Sequence, residues 1–222
     1  MKNNIFRIIM WGMVVLSFPS CHGILGDIYD HPTEESDSPY GFIETNPEKH
    51  SGKIFIDVHS YTQWVYINFE DQEIYTKNID KNTGKLTEAE PEIWDLAMHR
   101  YDSKTNNGSV LETSYSSLDA LRNVGKLPEG KFIPDVMGKV TTDMSGMMDG
   151  VILYADSPIN EELAKWLNVD TSQMPPIYTL SKKVYLLKTE EGKYAALYIP
   201  NYLNDEYDSG YLTIEYIYPL EF

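Results

Sequence analysis

Apolar and polar residues alternate along most of the chain, and this pattern predicts a fold built mainly of β-strands. A period of two with many aromatic and β-branched residues is typical of half-buried strands. Six stretches are predicted as strands on this basis: 53–60, 61–69, 72–77, 184–188, 194–199 and 211–218. Shorter extended pieces are predicted at 109–115, at 131–134 and, as a buried strand, at 151–154. The predicted fold class is therefore all-β, with one or two short helices.

The longest helix is predicted at residues 158–167. Asp156 or Ser157 can cap it, and proline suits an early helical position. Residues 116–121 predict a single capped helical turn, and residues 90–98 are either helical or irregular. Turn signals lie between the strands at 82–85, 106–108 and 189–193.

The N-terminus is predicted to be a signal peptide rather than part of the fold. Residues 1–20 carry Lys2 and Arg7 ahead of an apolar run that is too short to span a membrane. Cys21 follows directly and is the only cysteine, so no internal disulfide can form. Its position is that of a bacterial lipoprotein acylation site, which predicts an anchored protein. The alternative is an ordinary secreted protein with a free thiol.

The remaining chain divides into a linker and one domain. Residues 21–50 hold the lipidated cysteine and a polar, acidic, proline-broken stretch, which predicts a flexible tether. Residues 51–222 have a length that suits a single domain.

The charge of the chain excludes some partners. The full chain has a formal charge of −16, and removal of residues 1–20 takes two further positive charges, leaving −18. Nucleic acid is excluded as a partner because its binding requires clustered cations. Adhesion to anionic lipid through a basic patch is excluded for the same reason.

The sequence lacks the motifs of the common enzyme classes. It contains no nucleophile elbow, phosphate-binding glycine loop, His-Glu-x-x-His zinc motif or haem-attachment motif. A protein that is not an enzyme is therefore predicted. Among the histidines, only His59 and His99 fall well inside the domain, and each is predicted to be a hydrogen-bonded polar residue rather than a metal ligand.

Methionines are concentrated in one glycine-rich stretch. Residues 136–150, predicted as a loop, contain four methionines within twelve positions: Met137, Met144, Met147 and Met148. Methionine fills irregular apolar gaps, but its sulfur is also a soft metal ligand. The run has neither a period of 2 nor one of 3.6, so packing into a core explains it poorly.

Several stretches together resemble the HmuY-like haem-binding lipoproteins. They are WDLAMHRY at 94–101, TNNG at 105–108, YTLSKKVY at 178–185, GKYAAL at 192–197 and GYLTIEY at 210–216. The resemblance covers roughly residues 52–219 and the lipoprotein N-terminus. It implies an all-β fold likened to an open hand, which grips one haem between finger-like loops. It also implies a surface protein of the outer membrane, anchored or shed, that takes haem from host haemoproteins and passes it to a TonB-dependent receptor.

The resemblance further implies two axial iron ligands from the loops before and after the helix. Those loops contain no histidine here, and some relatives use methionine instead. The expected pair is Met147 with Met174, with Met148 and then Met144 in reserve for the first position. Since the predicted helix separates the two loops, they could close on opposite faces of one flat ligand. No metal other than haem iron is expected.

The seventeen tyrosines and four tryptophans leave a different function open. Aromatic residues stack across strands and fill cores, but they also line clefts for sugar rings. The alternative is therefore a non-enzymatic surface lipoprotein that binds a glycan or a protein through an aromatic cleft.

Overall fold

The structure is a computed structural model that describes residues 40–173 and 175–222. The predicted signal peptide, Cys21, most of the predicted tether and Met174 lie outside the described residues.

Antiparallel strands are the main regular element of the described chain, and the predicted all-β class is confirmed. The strands are β1 (Gly41–Asn46), β2 (Ser51–Asp57), β3 (Gln63–Asn68), β4 (Glu73–Asn78), β5 (Leu96–His99), β6 (Asp102–Thr105), β7 (Ser109–Glu112), β8 (Ile133–Pro134), β9 (Val136–Asp143), β10 (Leu153–Ile159), β11 (Leu167–Asp170), β12 (Ile177–Leu180), β13 (Val184–Lys188), β14 (Tyr194–Leu203) and β15 (Ser209–Ile217). One α-helix, α1 (Leu118–Arg122), and short 3-10 turns at Pro47–Lys49, Met147–Asp149 and Leu163–Trp166 complete the described elements.

Two sheets enclose the main core. A seven-stranded sheet has the order β1-β2-β15-β14-β13-β7-β8, and a four-stranded sheet has the order β4-β3-β5-β6. Side chains from both sheets, such as Ile54, Ile67, Met98 and Ile214, are fully buried in one cluster. Met98 therefore has the packing role that methionine commonly has in cores.

A smaller core lies on the other face of the seven-stranded sheet, under α1. Leu121 is fully buried there beside Leu186 and Ile217. The Ser117 hydroxyl accepts a hydrogen bond from the Ala120 amide at 3.2 Å, which caps the helix. The predicted capped turn at 116–121 is confirmed.

The helix predicted at 158–167 is wrong. Pro158 and Ile159 end β10, one 3-10 turn follows at Leu163–Trp166, and β11 begins at Leu167. Asn160 is the cause: its amide donates to Ser103 O at 2.7 Å, and its side chain donates to Ile133 O at 3.0 Å. These contacts fix the chain to distant strands, so the helix cannot extend back to the predicted caps.

The predicted tether boundary at residue 50 is also wrong. Residues from Gly41 onward form β1, which pairs antiparallel with β2. Phe42 anchors this strand, because its ring meets Phe69 at 6.5 Å and Tyr216 at 5.5 Å, both edge-on. The apolar residues at 40–43 were the sequence signal for a strand.

The loop predicted at 136–150 is wrong for its first half, because residues 136–143 form the strand β9. β9 pairs with β10 in a two-stranded sheet, so only residues 144–152 connect the strands. The buried strand predicted at 151–154 is wrong, because Val151 and Tyr154 are exposed. The inner face of the hairpin instead carries Val140, Thr142 and Ala155, which are buried.

Candidate ligand site between two hairpins

The β9–β10 hairpin is fastened to the four-stranded sheet through His99. The buried imidazole of His99 lies between two carbonyl groups, with Nδ1 2.8 Å from Gln63 O and Nε2 2.9 Å from Thr141 O. Burial lowers the pKa of His99, so at neutral pH the uncharged ring donates to one of these carbonyls at a time. The prediction that His99 is a hydrogen-bonded polar residue is confirmed.

Two further contacts hold the same hairpin near its tip. The Thr142 hydroxyl donates to Lys81 O at 2.7 Å, and the Lys81 ammonium lies 2.8 Å from the Asp143 carboxylate. The ion pair, together with the Ser145 amide, holds the pKa of Asp143 well below its usual range. The start of the tip therefore has a fixed position.

The tip itself exposes methionine sulfur. Met148 is 91% exposed and Met147 is 42% exposed, while Met144 is half-buried. The chain reverses there through one 3-10 turn and Gly150, whose φ of 76° is left-handed. Met137 is exposed at the base of the hairpin, opposite Pro158. Packing in a core therefore does not account for these residues.

A second two-stranded hairpin is formed by β11 and β12. Its base is held by the Trp166 indole, which donates to Tyr101 O at 3.2 Å, and by the Ser181 amide, which donates to Trp166 O at 2.8 Å. Residues 171–176 connect its strands, and Met174 in this connection lies outside the described residues.

Tyr61, Arg100, Tyr101, Tyr178 and Tyr202 lie together next to the β11–β12 hairpin, and we call this set the tyrosine floor. The Tyr178 ring lies 5.6 Å from Tyr101 and 6.1 Å from Tyr202, and the Arg100 guanidinium lies 4.6 Å from the centre of the Tyr61 ring. Burial, with Tyr101 nearby, raises the pKa of Tyr178 to about 12. The phenol therefore keeps its proton at neutral pH. Tyr202 is buried, while the partly exposed rings of Tyr61, Tyr101 and Tyr178 offer aromatic surface beside one fixed cation.

Arg100 joins three turns at this end of the molecule. Its Nη1 donates to His59 O at 2.7 Å and to Ser209 O at 3.5 Å, and its Nη2 donates to the Tyr101 hydroxyl at 3.4 Å. Its Nε is buried without a hydrogen-bond partner among the described residues. Gly210 makes room for it, because a Cβ at that position would lie 2.7 Å from Nη1.

The strand register shows that the turns joined by Arg100 lie at one end of the molecule. Asp57, the last residue of β2, faces Tyr211 near the start of β15, and β5 and β6 meet at the His99–Asp102 pair. Thr141 of β9 is bonded to His99, and Tyr178 of β12 contacts Tyr101. Both hairpin tips therefore project from the end that carries the tyrosine floor.

A separate aromatic cluster encloses one of the chain's own lysines. The Lys104 ammonium lies 4.9, 4.8 and 5.1 Å from the ring centres of Trp64, Tyr66 and Trp94, and 2.9 Å from the Glu90 carboxylate. These rings thus already stabilise an internal cation and are not free to receive a sugar. Trp64, Tyr66 and Trp94 therefore have a structural role.

Residues 40–173 and 175–222 contain no group of three His, Cys, Asp or Glu side chains that could hold a metal ion. The helices in these ranges are too short or too polar for any of them to cross a membrane.

The HmuY protein family model matches residues 60–216, most of the two-sheet domain and both hairpins. The chain belongs to the HmuY family. No curated protein sequence matches it significantly.

Solved structures agree with this family membership. A candidate HmuY-like haem-binding protein from Bacteroides vulgatus is 50% identical, with a TM-score of 0.77 over 83% of this chain and 100% of that chain. A candidate lipoprotein from Bacteroides fragilis is 46% identical, with a TM-score of 0.78 over 85% and 100%. The apo HmuY analog of Tannerella forsythia is 27% identical, with a TM-score of 0.60 over 75% and 94%.

In this HmuY-family protein the predicted ligands of the first loop lie together at one hairpin tip. Met144, Met147 and Met148 share that tip, and the second predicted loop does project from the same end. The strands β10 and β11 and the 3-10 turn between them, not a helix, separate the two.

Sequence reasoning assigned no role to the tyrosine floor of this HmuY-family protein. Arg100 and Tyr101 lie within the WDLAMHRY stretch, where a cation directly before an aromatic residue was the available signal. Tyr61, Tyr178 and Tyr202 gave no local signal, because only the tertiary fold brings them to Tyr101.

Proposed function

We propose that this HmuY-family protein binds haem between its two hairpin tips. The observation that supports this most is the exposure of Met147 and Met148 at the tip of the β9–β10 hairpin, which projects from the end of the molecule that carries the tyrosine floor. The Bacteroides vulgatus relative, at 50% identity, carries the description of a HmuY-like haem-binding protein.

The chemistry of the side chains fits haem. Thioether sulfur is a soft ligand that favours reduced iron, and the tyrosines offer apolar ring faces to a flat macrocycle. Haem also carries two propionate carboxylates, which the overall formal charge of −16 would repel. Arg100 supplies a cation at the floor, and its buried Nε has no partner among the described residues.

Met147 and Met174 would hold the iron of bound haem, with Met148 and then Met144 as substitutes for Met147. Bound haem would supply the iron that these sulfurs hold. The protein's own contribution is to keep one methionine tip in place through His99 and the Lys81–Asp143 pair. No covalent step is required, so the proposed activity is binding and release, without enzymatic turnover.

A haem titration tests the proposal. Adding haemin to the purified mature chain, with and without dithionite, should sharpen the Soret band, and most strongly after reduction. Unchanged haemin spectra in both redox states would rule the function out.

Methionine variants test the ligands. Met147→Ala and Met174→Ala should each weaken haem binding by about tenfold or more, which corresponds to about 1.4 kcal/mol. Met137→Ala is the matched control, because Met137 is exposed on the same hairpin but lies at its base. A double variant with a wild-type spectrum would move the site elsewhere.

We further propose that the chain is a lipoprotein anchored through Cys21 at the outer-membrane surface. There it would take haem from host haemoproteins and deliver it to a TonB-dependent receptor. The Bacteroides fragilis relative, described as a candidate lipoprotein, supports the anchor.

Cys21→Ser should abolish incorporation of labelled fatty acid, and incorporation at wild-type level would exclude Cys21 as the acylation site.

A further inference from the structure

The described chain begins at the same end of the molecule as the candidate site. The Tyr40 ring stacks on Phe55 at 5.5 Å and on Tyr211 at 6.4 Å, and Tyr211 stacks in turn on His59 at 5.7 Å. The carbonyl of His59 accepts the hydrogen bond from Arg100. One short series of contacts therefore connects Tyr40 to the tyrosine floor.

The other end of the domain carries the C-terminus. Ile217, the last residue of β15, pairs with Ser51, and the Leu220 amide donates to Tyr194 O at 2.8 Å. The turn at 189–193 lies at this end too, because it joins Lys188 to Tyr194. Seven residues of β2 separate the two ends, which is about 20 Å at roughly 3.3 Å per residue.

We propose that the lipid anchor holds the domain with its candidate site toward the membrane. This inference rests on the proposed function and on acylation of Cys21. Eighteen residues lie between Cys21 and Tyr40. This segment joins the domain at Tyr40, which is at the site end and about 20 Å from the C-terminal end. The position of Tyr40 therefore brings the site end closer to the membrane than the C-terminal end.

The surface at this end favours a protein partner in that membrane over the lipid itself. Exposed apolar side chains lie along the β9–β10 hairpin: Val136, Met137, Met147, Met148, Val151 and Tyr154. An exposed apolar surface of this kind marks an interaction site. The mature charge of −18 opposes contact with anionic headgroups. The hairpin thus fits a membrane-embedded protein that exchanges the ligand directly with the site.

Energy transfer in vesicles tests the orientation. The mature, acylated chain is reconstituted in phosphatidylethanolamine–phosphatidylglycerol vesicles that contain a headgroup-linked acceptor dye. A donor dye is placed at Ser145→Cys or Ser172→Cys, at the two hairpin tips, or at Asp119→Cys or Glu191→Cys, toward the C-terminal end. All four positions are exposed, and the acylated Cys21 leaves the new thiol as the only one free.

Donors at 145 and 172 should transfer energy to the acceptor at least about twofold more efficiently than donors at 119 and 191. Equal transfer, stronger transfer from 119 and 191, or failure of the chain to associate with vesicles would each overturn the inference. Two labelling positions are used at each end, so that the comparison still stands if one variant misfolds. Because no haem is used, this experiment can fail while the haem titration succeeds, and the reverse also holds.

Discussion

At the scale of single residues, the carboxyl group of Asp102 lies next to the tyrosine floor and is largely removed from water. Asp102 follows Tyr101 directly, and burial raises its pKa from 3.8 to about 6. No ion pair within residues 40–173 and 175–222 offsets this burial, so the ionised form is disfavoured in the folded protein. The folded state thus binds more protons than the unfolded state between about pH 4 and pH 6, and this group makes stability fall as pH rises through that range.

Asp102→Asn should remove this pH dependence. The stability gained over wild type should be small near pH 4 and should rise to about 1–3 kcal/mol at pH 7. Urea unfolding at both pH values measures it. Asp156→Asn is the control, because that side chain is exposed on the outer face of the hairpin. A gain of equal size at both pH values would contradict the assignment.

At the scale of elements, the position of the methionine tip depends on how the β9–β10 hairpin docks. Gly84 contributes to that docking through its lack of a side chain. Its φ of 68° is left-handed, and a Cβ there would lie 2.3 Å from the Ala155 Cβ. Neither atom can move aside without a shift of the backbone.

Gly84→Ala should destabilise the protein by about 2–4 kcal/mol or release the hairpin locally. Hydrogen exchange in residues 136–159 should then be faster than in β2 and β15. Gly192→Ala is a matched control: its φ of 82° is also left-handed, but nothing lies within 4 Å of its Cβ position. That variant should lose only about 1 kcal/mol. Equal losses in the two variants would show that packing against Ala155 is unimportant.

The alternating pattern predicted the strands well wherever one face of the strand is buried, as in β3 and β15. It failed where distant contacts determine the local conformation. The 3-10 turn at Leu163–Trp166 depends on Asn160 binding to Ser103 and Ile133, which are far away in sequence. β1 was missed because its acidic, proline-containing surroundings outweighed Phe42.

At the scale of the whole molecule, one guanidinium joins turns that are more than a hundred residues apart. Arg100 binds the carbonyl of His59 in the β2–β3 turn and that of Ser209 at the start of β15. The tyrosine floor was unpredictable from sequence for the same reason, since Tyr61 and Tyr178 meet only through the tertiary fold. The methionine tip was recognisable because its residues are adjacent in the chain.

Arg100→Met should lower the free energy of unfolding by about 1–3 kcal/mol, because the carbonyl groups lose their donor while the apolar stem is kept. Hydrogen exchange should accelerate at residues 58–62 and 204–210. Arg122→Met is the control, since Arg122 also donates to a carbonyl, that of Lys49, but at the opposite end. Acceleration confined to that opposite end in the Arg100 variant would contradict the proposed link.

The exposed tip has a chemical consequence as well. A thioether that is 91% exposed, as in Met148, meets oxidants before any other part of the site. Oxidation to the sulfoxide makes the side chain polar and weakens it as a soft ligand. Mild peroxide should therefore modify Met148 and Met147 while the fully buried Met98 stays intact, as peptide mass spectrometry can measure. If haem binding falls in step with this oxidation and returns after treatment with methionine sulfoxide reductase, the redox state of the surroundings controls when the protein can take up its ligand.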